Sequence, residues 1–205
     1  MPKSLFKTVA PFAFWLSAIA VLGVLPPSAA LPQKFVVKPV AERKIAQLPA
    51  GPLFWLIESF PTLARAQAAS GPTSLAAEVS GKAWLFTLGS KGAPGHGGTH
   101  VIEIGPVPTV TAPEYLLRIN HAGGPPGAKT SVHSHPGSEA FYVLSGRLGQ
   151  RTSHGVSYAE AGQPMNGHSP GTAMEVFNPG TVDLDQLVMF VVDATQPFSV
   201  PAKLP

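Results

Sequence analysis

Beyond residue 74, short runs of apolar, aromatic and β-branched residues alternate with breaks made of Gly, Pro and Asn. Runs of this length and composition favour β-strands over helices. They cover residues 75–79, 82–88, 100–105, 114–121, 139–145, 147–152, 156–160, 173–177 and 185–193. Residues 188–192 are continuously apolar, which predicts a central strand buried on both faces. The pattern therefore predicts an all-β domain.

The chain before this domain is less regular. Residues 31–52 are interrupted by Pro and predict an extended arm without chemistry of its own. Residues 53–60 form an apolar run that we interpret as a strand. The Ala-rich residues 62–69 predict a short helix that starts after Pro61. We therefore divide the chain into an N-terminal segment, an arm with a short helix, and a β domain, over residues 1–30, 31–74 and 75–205.

The N-terminal segment 1–30 has the features of an export signal. Lys3 and Lys7 form a basic start, residues 9–25 are uncharged and mainly apolar, and small residues lead to Ala30. This order is typical of a cleaved signal peptide and predicts a periplasmic or secreted protein. The alternative is an uncleaved anchor, because about 17 apolar residues is the lower limit for a membrane-spanning helix. With cleavage, we expect no stable membrane insertion.

Charge and cysteine content exclude several classes of function. Removal of residues 1–30 lowers the basic count from 14 to 12 against 11 acidic residues, and the net charge from +3 to +1. With no Lys/Arg cluster, this balance predicts no nucleic-acid partner. Cysteine is absent from the sequence. Disulfides, thiolate ligands and a Cys nucleophile are therefore excluded.

The candidate chemistry lies in residues 127–146, GAKTSVHSHPGSEAFYVLSG. His133 and His135 are two residues apart, so on an extended strand both side chains point to one face. Glu139 opens the following strand. Two imidazoles and a carboxylate suit a divalent first-row metal and leave coordination positions open. The sequence therefore predicts a metal site.

Between the candidate ligands, Pro136-Gly137 predicts a tight turn. Pro fixes φ at the first central position, and Gly accepts a positive φ at the second. At the end of the next run, Gly146 predicts a bulge or bend.

These residues carry a family resemblance. Gly127, His133-x-His135, Glu139 and Gly146 match the first signature motif of the cupin superfamily without a gap. The resemblance implies a small antiparallel jelly-roll barrel. It also implies that two His and one Glu, usually with a third His from a second motif, hold one divalent ion such as Fe, Mn, Ni or Zn. The alternative is a cupin barrel that has lost its metal, since such barrels retain parts of the motif.

The second cupin motif is degraded. Its consensus is Gly, five residues, Pro-x-Gly, two residues, His, three residues, Asn. Here Gly162, Pro164, Gly167 and His168 are similar in kind, but the spacing differs and Asn178 lies ten residues beyond His168.

Strand geometry selects His168 as the predicted fourth ligand. Glu139 lies 15 residues before His154, and His168 lies 14 residues after it. If the chain turns near His154, it returns to the level of Glu139 at His168. Because strands advance about 3.3 Å per residue, His154 is then expected at the far end. Gln163 is a further rim or substitute ligand.

Three functions are compatible with such a site. The first is a metal-dependent, dioxygenase-like oxidoreductase acting on a small organic molecule. The others are a non-enzymatic small-molecule-binding module and a metal-assisted isomerase or decarboxylase; the fold does not choose among them. The expected apolar lining is Phe141, Val143, Met174, Val176 and Met189. No catalytic residue outside the metal ligands stands out. The oligomeric state stays open, with a homodimer as one option.

Overall fold

The structure, a computed structural model, describes Met1 and residues 34–204. These residues form strands and a single short helix. The strands are β1 (Val36–Ile45), β2 (Leu53–Phe60), β3 (Ser74–Val79), β4 (Lys82–Ser90), β5 (Thr99–Ile104), β6 (Tyr115–Gly124), β7 (His133–Ser134), β8 (Gly137–Ser145), β9 (Arg147–Thr152), β10 (Gly155–Glu160), β11 (Pro164–Asn166), β12 (Met174–Phe177), β13 (Leu184–Asp193) and β14 (Val200–Pro201). The helix α1 (Leu63–Ala68) lies between β2 and β3.

Antiparallel pairing joins the strands into three sheets. The first has the order β1-β6-β13-β8-β11 and the second the order β10-β9-β12-β7-β14. These two sheets enclose one apolar interior and form the barrel. The third sheet, β3-β4-β2-β5, shares a second apolar core with the outer face of the first sheet. The predicted all-β, antiparallel jelly roll is confirmed, and the third sheet is an addition to it.

Strand β13 shows why the first sheet can pack on both faces. Val188 and Phe190 belong to the barrel interior, whereas Leu187 and Met189 belong to the core shared with the third sheet. All four side chains are at most 4% exposed. Because successive side chains on a strand point to opposite faces, only a continuously apolar run can fill both cores. The prediction of a doubly buried central strand is confirmed.

The N-terminal arm contributes more than the sequence predicts. Strand β1 pairs with β6 and forms an edge of the barrel, and the side chain of Phe35 is buried in its interior. In contrast, β3, β4 and β5 belong to the third sheet. The barrel therefore combines β1 with β6–β14, and does not begin at residue 75. The sequence contains little sign of this, because most of β1 is exposed and lacks apolar alternation.

Local sequence patterns correctly predicted strand β2 and helix α1. β2 covers the apolar run assigned as a strand. The side chain of Thr62 accepts a hydrogen bond from the backbone N–H of Arg65, at 3.3 Å, and so caps α1. Strands β11 and β14 were missed, because two or three residues are too few for a periodic pattern.

Residues 2–33 lie outside the described residues, so the structure does not test the signal peptide predicted over residues 1–30. Within residues 34–204, no helix has the length and apolar character needed to cross a membrane.

Candidate metal centre

The barrel interior contains a cavity of about 490 Å³. Exposed residues at its edge, Lys34, Val37, Lys129, Ser131 and Ser199, mark its mouth. Deeper in the cavity, the wall is mainly apolar and includes Phe35, Ala122, Phe141, Val176, Val188, Phe190 and Phe198. The three predicted motif ligands, His133, His135 and Glu139, line this same cavity.

Backbone carbonyls orient both motif histidines. Nδ1 of His133 donates to the carbonyl of Ser131 at 2.8 Å, and Nδ1 of His135 donates to that of Phe198 at 2.6 Å. A carbonyl only accepts, so each ring carries a proton on Nδ1, and in the neutral ring Nε2 is the atom with the free lone pair. The two ring centroids are 4.9 Å apart. Metal-ligating histidines are typically oriented by such a hydrogen bond on their other nitrogen.

The carboxyl of Glu139 is buried beside His135. Its Oε2 lies 3.9 Å from Nε2 of His135, and its Oε1 accepts a hydrogen bond of 2.7 Å from Nε2 of Gln150. Burial raises the pKa of Glu139 to about 8, although the Gln150 hydrogen bond acts in the opposite direction. Desolvation by burial lowers the pKa of His135 to about 4. At neutral pH this pair therefore consists of a neutral imidazole and a largely protonated carboxyl.

The donor set suits a divalent ion, but the side chains do not converge fully. Neutral imidazole and carboxylate are suitable ligands, and Nε2 of His135 and Oε2 of Glu139 are near enough to bind one ion after a small adjustment. Within residues 34–204, however, no group of three or more His, Cys, Asp or Glu side chains is close enough to hold a metal ion. His133 would therefore need to move toward the other two.

The C-terminal segment completes the site, which the sequence did not predict. Strand β14 pairs with β7, opposite His133 and Ser134. Just before β14, the ring of Phe198 packs against that of His135, with centroids 4.8 Å apart. Together with the carbonyl bond described above, this contact fixes the imidazole. Because the contact joins residues 63 positions apart, no local pattern signals it.

The predicted role of Gly137 in a turn was wrong. Its φ is not positive; Gly137 is the first residue of β8 and pairs with Val192 of β13. A Cβ atom at this position would overlap the carbonyl oxygen of Val191. Glycine is therefore required for the close approach of two strands. Gly146, in contrast, has the left-handed φ of +76° that suits the predicted bend.

His168 returns to the backbone level predicted for it. The N–H of Gly167 donates to the carbonyl of Glu139 at 2.9 Å. The side chain of His168, however, does not line the cavity. Its ring lies beside that of His154, with centroids 6.3 Å apart. His168 as a fourth ligand thus stays a prediction from sequence.

The expectation that His154 lies at the far end was wrong. Strand β8 belongs to the first sheet and β9 to the second, and the chain bends between them at Gly146. The number of residues between Glu139 and His154 therefore does not give their distance along one straight strand. The side chain of the candidate ligand Gln163 has another partner. Its Oε1 accepts a hydrogen bond from the backbone N–H of Glu160 at an exposed turn.

Met174 lies beside His133 on the neighbouring strand. Its Cα pairs with that of His133 across β12 and β7, and its Sδ lies 3.4 Å from Nε2 of Gln150. Counting the second-motif consensus back from Asn178 places its glycine at Gly171 and its histidine at Met174. The sequence contained this signal, but the alignment on His168 concealed it.

Two further positions of the second motif, Asn178 and Gly171, support the alignment counted from Asn178. Asn178 donates from Nδ2 to the carbonyls of Gly124 and Val182, at 2.9 and 2.8 Å. Gly171 has a φ of +78° and donates its N–H to the carbonyl of His135. Both residues thus hold the backbone around the site.

The predicted apolar lining is confirmed in part. Phe141 and Val176 line the cavity. Val143 is buried in the barrel interior but is not part of the cavity wall, and neither is Met174. Met189 faces the other core, next to the third sheet, because its register on β13 turns it away from the barrel.

Two facing antiparallel sheets make the described domain a jelly roll, and its first motif resembles that of the cupin superfamily. No protein-family model matches the sequence, and no curated protein gives a significant match. Solved structures overlap with parts of the chain. The DMSP lyase DddQ from Ruegeria pomeroyi DSS-3 is 20% identical over 42% of this chain and 43% of that chain, with a TM-score of 0.37.

Two further structures overlap to a similar extent. Oxalate oxidase in complex with the substrate analogue glycolate is 22% identical over 41% of this chain and 45% of that chain, with a TM-score of 0.36. A cupin superfamily protein from Desulfitobacterium hafniense DCB-2 is 12% identical over 38% and 68%, with a TM-score of 0.34. The chain spans less than half the length of the lyase and the oxidase. Such partial overlaps carry no inference about activity.

Proposed function

We propose that this protein binds one divalent metal ion through His133, His135 and Glu139 and uses it to oxidise a small organic molecule. The orientation of the two histidines carries the proposal. Both Nδ1 atoms are committed to backbone carbonyls, so both Nε2 lone pairs are available at the cavity that Glu139 also lines. When bound, an Fe(II) or Mn(II) ion in this site would transfer electrons from the organic molecule to dioxygen, which is the oxidant.

The protein's own residues prepare the site in two ways. Burial keeps His135 neutral, so its imidazole is ready to act as a ligand without first losing a proton. Glu139 has to lose its proton before it can bind as a carboxylate, and Gln150 favours that ionised form by donating to Oε1. The carboxyl thus couples ion binding to proton release.

The cavity wall favours an apolar substrate body. Phe141, Phe190 and Val188 exclude water from the interior and can pack against an aromatic ring or a short aliphatic chain. The hydroxyl and amine groups that line the cavity, on Lys34, Lys129, Thr130, Ser131 and Ser199, belong to the mouth or its border. A side-chain nucleophile therefore has little support, which leaves the oxidation of a small enol or phenolic compound as the reaction that the site supports best.

A second candidate is a non-enzymatic binding module. It is favoured by the incomplete convergence of the ligands and by the raised pKa of Glu139, which keeps this carboxyl largely neutral at pH 7. In that case the cavity would capture a small molecule without turnover. Metal-assisted isomerisation or decarboxylation would use the same ion and remains the third candidate.

Oxygen uptake separates these candidates. Protein loaded anaerobically with Fe(II) or Mn(II) is mixed with small enols and phenols in air-saturated buffer, and uptake is recorded with an oxygen electrode. We expect uptake that is lost in His133→Ala and retained in His100→Ala, an exposed histidine outside the cavity. If no compound provokes uptake, while one of them raises the melting temperature by mass action, the binding module is correct. Product formation without oxygen uptake would indicate isomerisation or decarboxylation.

We also propose that the protein acts outside the cytoplasm. The basic start, the apolar run and the small-residue exit of residues 1–30 support export. Metal loading would then depend on the ions available in the periplasm or the medium, so Fe, Mn, Ni and Zn should all be compared.

A further inference from the structure

A buried amide without a partner lies in the wall of the cavity. Gln186 is 0% exposed, and its side chain lines the cavity. Among the described residues, neither its Nε2 nor its Oε1 has a hydrogen-bond partner. The mechanism proposed above does not use this residue.

Its neighbours explain why the amide stays unpaired. On β13, Gln186 occupies the face that points into the barrel interior together with Leu184, Val188 and Phe190. Its Cα partners are Ala122 on β6 and Val143 on β8, and Val37 continues the row on β1. None of these side chains can donate or accept a hydrogen bond. Ala122 and Val37 line the cavity with Gln186, and pairing with a ligand requires the buried amide to rotate toward it.

An amide in such surroundings is costly for the folded protein. Burying an unsatisfied donor and acceptor opposes folding, whereas an apolar side chain of similar size would stabilise this interior. A polar group at this position therefore points to a ligand that pairs with it. The amide presents a donor and an acceptor side by side. Its best partner is a neutral group with the same pair, such as a carboxamide, a lactam or a protonated carboxyl.

We infer that Gln186 is a specificity-determining residue that binds a neutral donor–acceptor group at the end of an apolar ligand. This inference deepens the proposed function, because it names the substrate class for the same cavity. It does not require the ion, so the subsite can be tested in metal-free protein. An ionised carboxylate is disfavoured at Gln186, because it would leave Oε1 facing another acceptor.

The register fixes the approximate length of the ligand. Phe190 pairs with Glu139, and Gln186 lies four residues before Phe190 on the same strand. At about 3.3 Å per residue, the subsite is roughly 13 Å along the strand from the level of Glu139. A molecule that reaches both ends would carry its amide-like group at Gln186 and its reacting oxygen at the histidines, with the apolar body between them.

Three probes of similar shape test the inference: benzamide, benzoate and toluene, titrated into metal-free protein and followed by ligand-observed NMR. We expect benzamide to bind about tenfold more tightly than toluene, which corresponds to ~1.4 kcal/mol. Benzoate should bind more weakly than benzamide. In Gln186→Met, which keeps the length of the side chain but removes the amide, benzamide and toluene should bind equally. Gln67→Met, on the exposed face of α1, is the matched control and should keep the preference.

The melting temperature of the variant provides an independent test of the inference. Because the amide is unsatisfied in the free protein, Gln186→Met should raise the melting temperature by about 2–4 °C while it removes the benzamide preference. A preference that persists in Gln186→Met would overturn the inference, and so would equal binding of benzamide and toluene to the wild type. Loss of ion binding with an intact benzamide preference would instead refute only the metal proposal.

The wild-type protein alone suffices if the variant does not fold. The side-chain amide resonance of Gln186 should shift when benzamide is added and not when toluene is added. An unchanged resonance at a saturating benzamide concentration would overturn the inference without any substitution.

Discussion

Met174 lies directly opposite His133, as its Cα partner across the β7–β12 pair. The second cupin motif, counted from Asn178, would place a histidine at this position. A thioether is a soft and weak donor compared with imidazole for ions such as Zn²⁺, Mn²⁺ or Fe²⁺. Met174 thus explains why the site presents two histidines and one glutamate without a third histidine on the neighbouring strand β12.

Restoring the histidine should strengthen the site. We expect Met174→His to bind Zn²⁺ about tenfold more tightly than the wild type, a gain of ~1.4 kcal/mol, because a third imidazole would lie beside that of His133. Titration calorimetry of metal-free protein measures this. Met174→Leu removes the thioether at similar volume and should leave the affinity unchanged. Equal affinities in Met174→His and Met174→Leu would show that residue 174 does not reach the ion.

Individual ligands can be separated by alanine substitutions. His133→Ala and His135→Ala should lose the ion, and Glu139→Ala should weaken binding by at least about tenfold. Elemental analysis after dialysis against a limiting Zn²⁺ concentration reports the stoichiometry, with about one ion per wild-type chain. His100→Ala is the control at an exposed position.

The ion affinity of His168→Ala distinguishes the prediction from sequence from the expectation based on the cavity geometry. The strand-return argument predicts weaker binding in His168→Ala, whereas the cavity geometry predicts an affinity within about twofold of the wild type. We expect the second result, because the His168 ring lies beside His154 and outside the cavity wall. A loss of affinity in His168→Ala, with none in His154→Ala, would show that His168 moves in to bind the ion.

The stability of the metal-free protein should depend on pH through Glu139 and His135. The folded-state pKa of Glu139 is raised to about 8, so its stabilising contribution is lost as pH rises from about 4.5 to 8. The pKa of His135 is lowered to about 4, so its contribution is lost as pH falls below about 6.5. Between pH 8 and 6.5 only Glu139 acts, and the free energy of unfolding should rise by about 2 kcal/mol. Below pH 6.5 the two effects cancel.

An ion should reverse this trend, because it replaces the proton on Glu139. The increase in melting temperature caused by Zn²⁺ should therefore grow between pH 6.5 and 8. Thermal unfolding across this range, with and without Zn²⁺, measures both slopes. Glu139→Gln should flatten the metal-free slope. A wild-type slope that matches Glu139→Gln would mean that this carboxyl titrates near its ordinary pKa.

Export predicts a shorter mature chain. We expect protein recovered from the periplasm or medium to begin near Leu31, which intact-mass measurement resolves directly. Ala30→Tyr places a bulky residue where a small one is needed and should block processing. Full-length wild-type protein that resists carbonate extraction would support the anchor instead.

The sequence alone determined the strand class, most strand positions and the motif residues. Alternating and continuous apolar runs are local properties. The period of a strand and the burial of β13 both follow from the order of consecutive residues. The motif, too, is contained in one stretch, residues 127–146. The spacing of His133, His135 and Glu139 within that stretch was therefore enough to place all three at one cavity.

Tertiary structure alone decided which distant segments complete the site. The carbonyl of Phe198 fixes His135, Gln186 lines the cavity, and strand β1 forms one edge of the barrel. The bend at Gly146 moves β9 to the opposite sheet and so brings His154 beside His168. These relationships depend on the path of the whole chain. Because pairing across sheets joins residues far apart in sequence, no local periodicity specifies which side chains will meet.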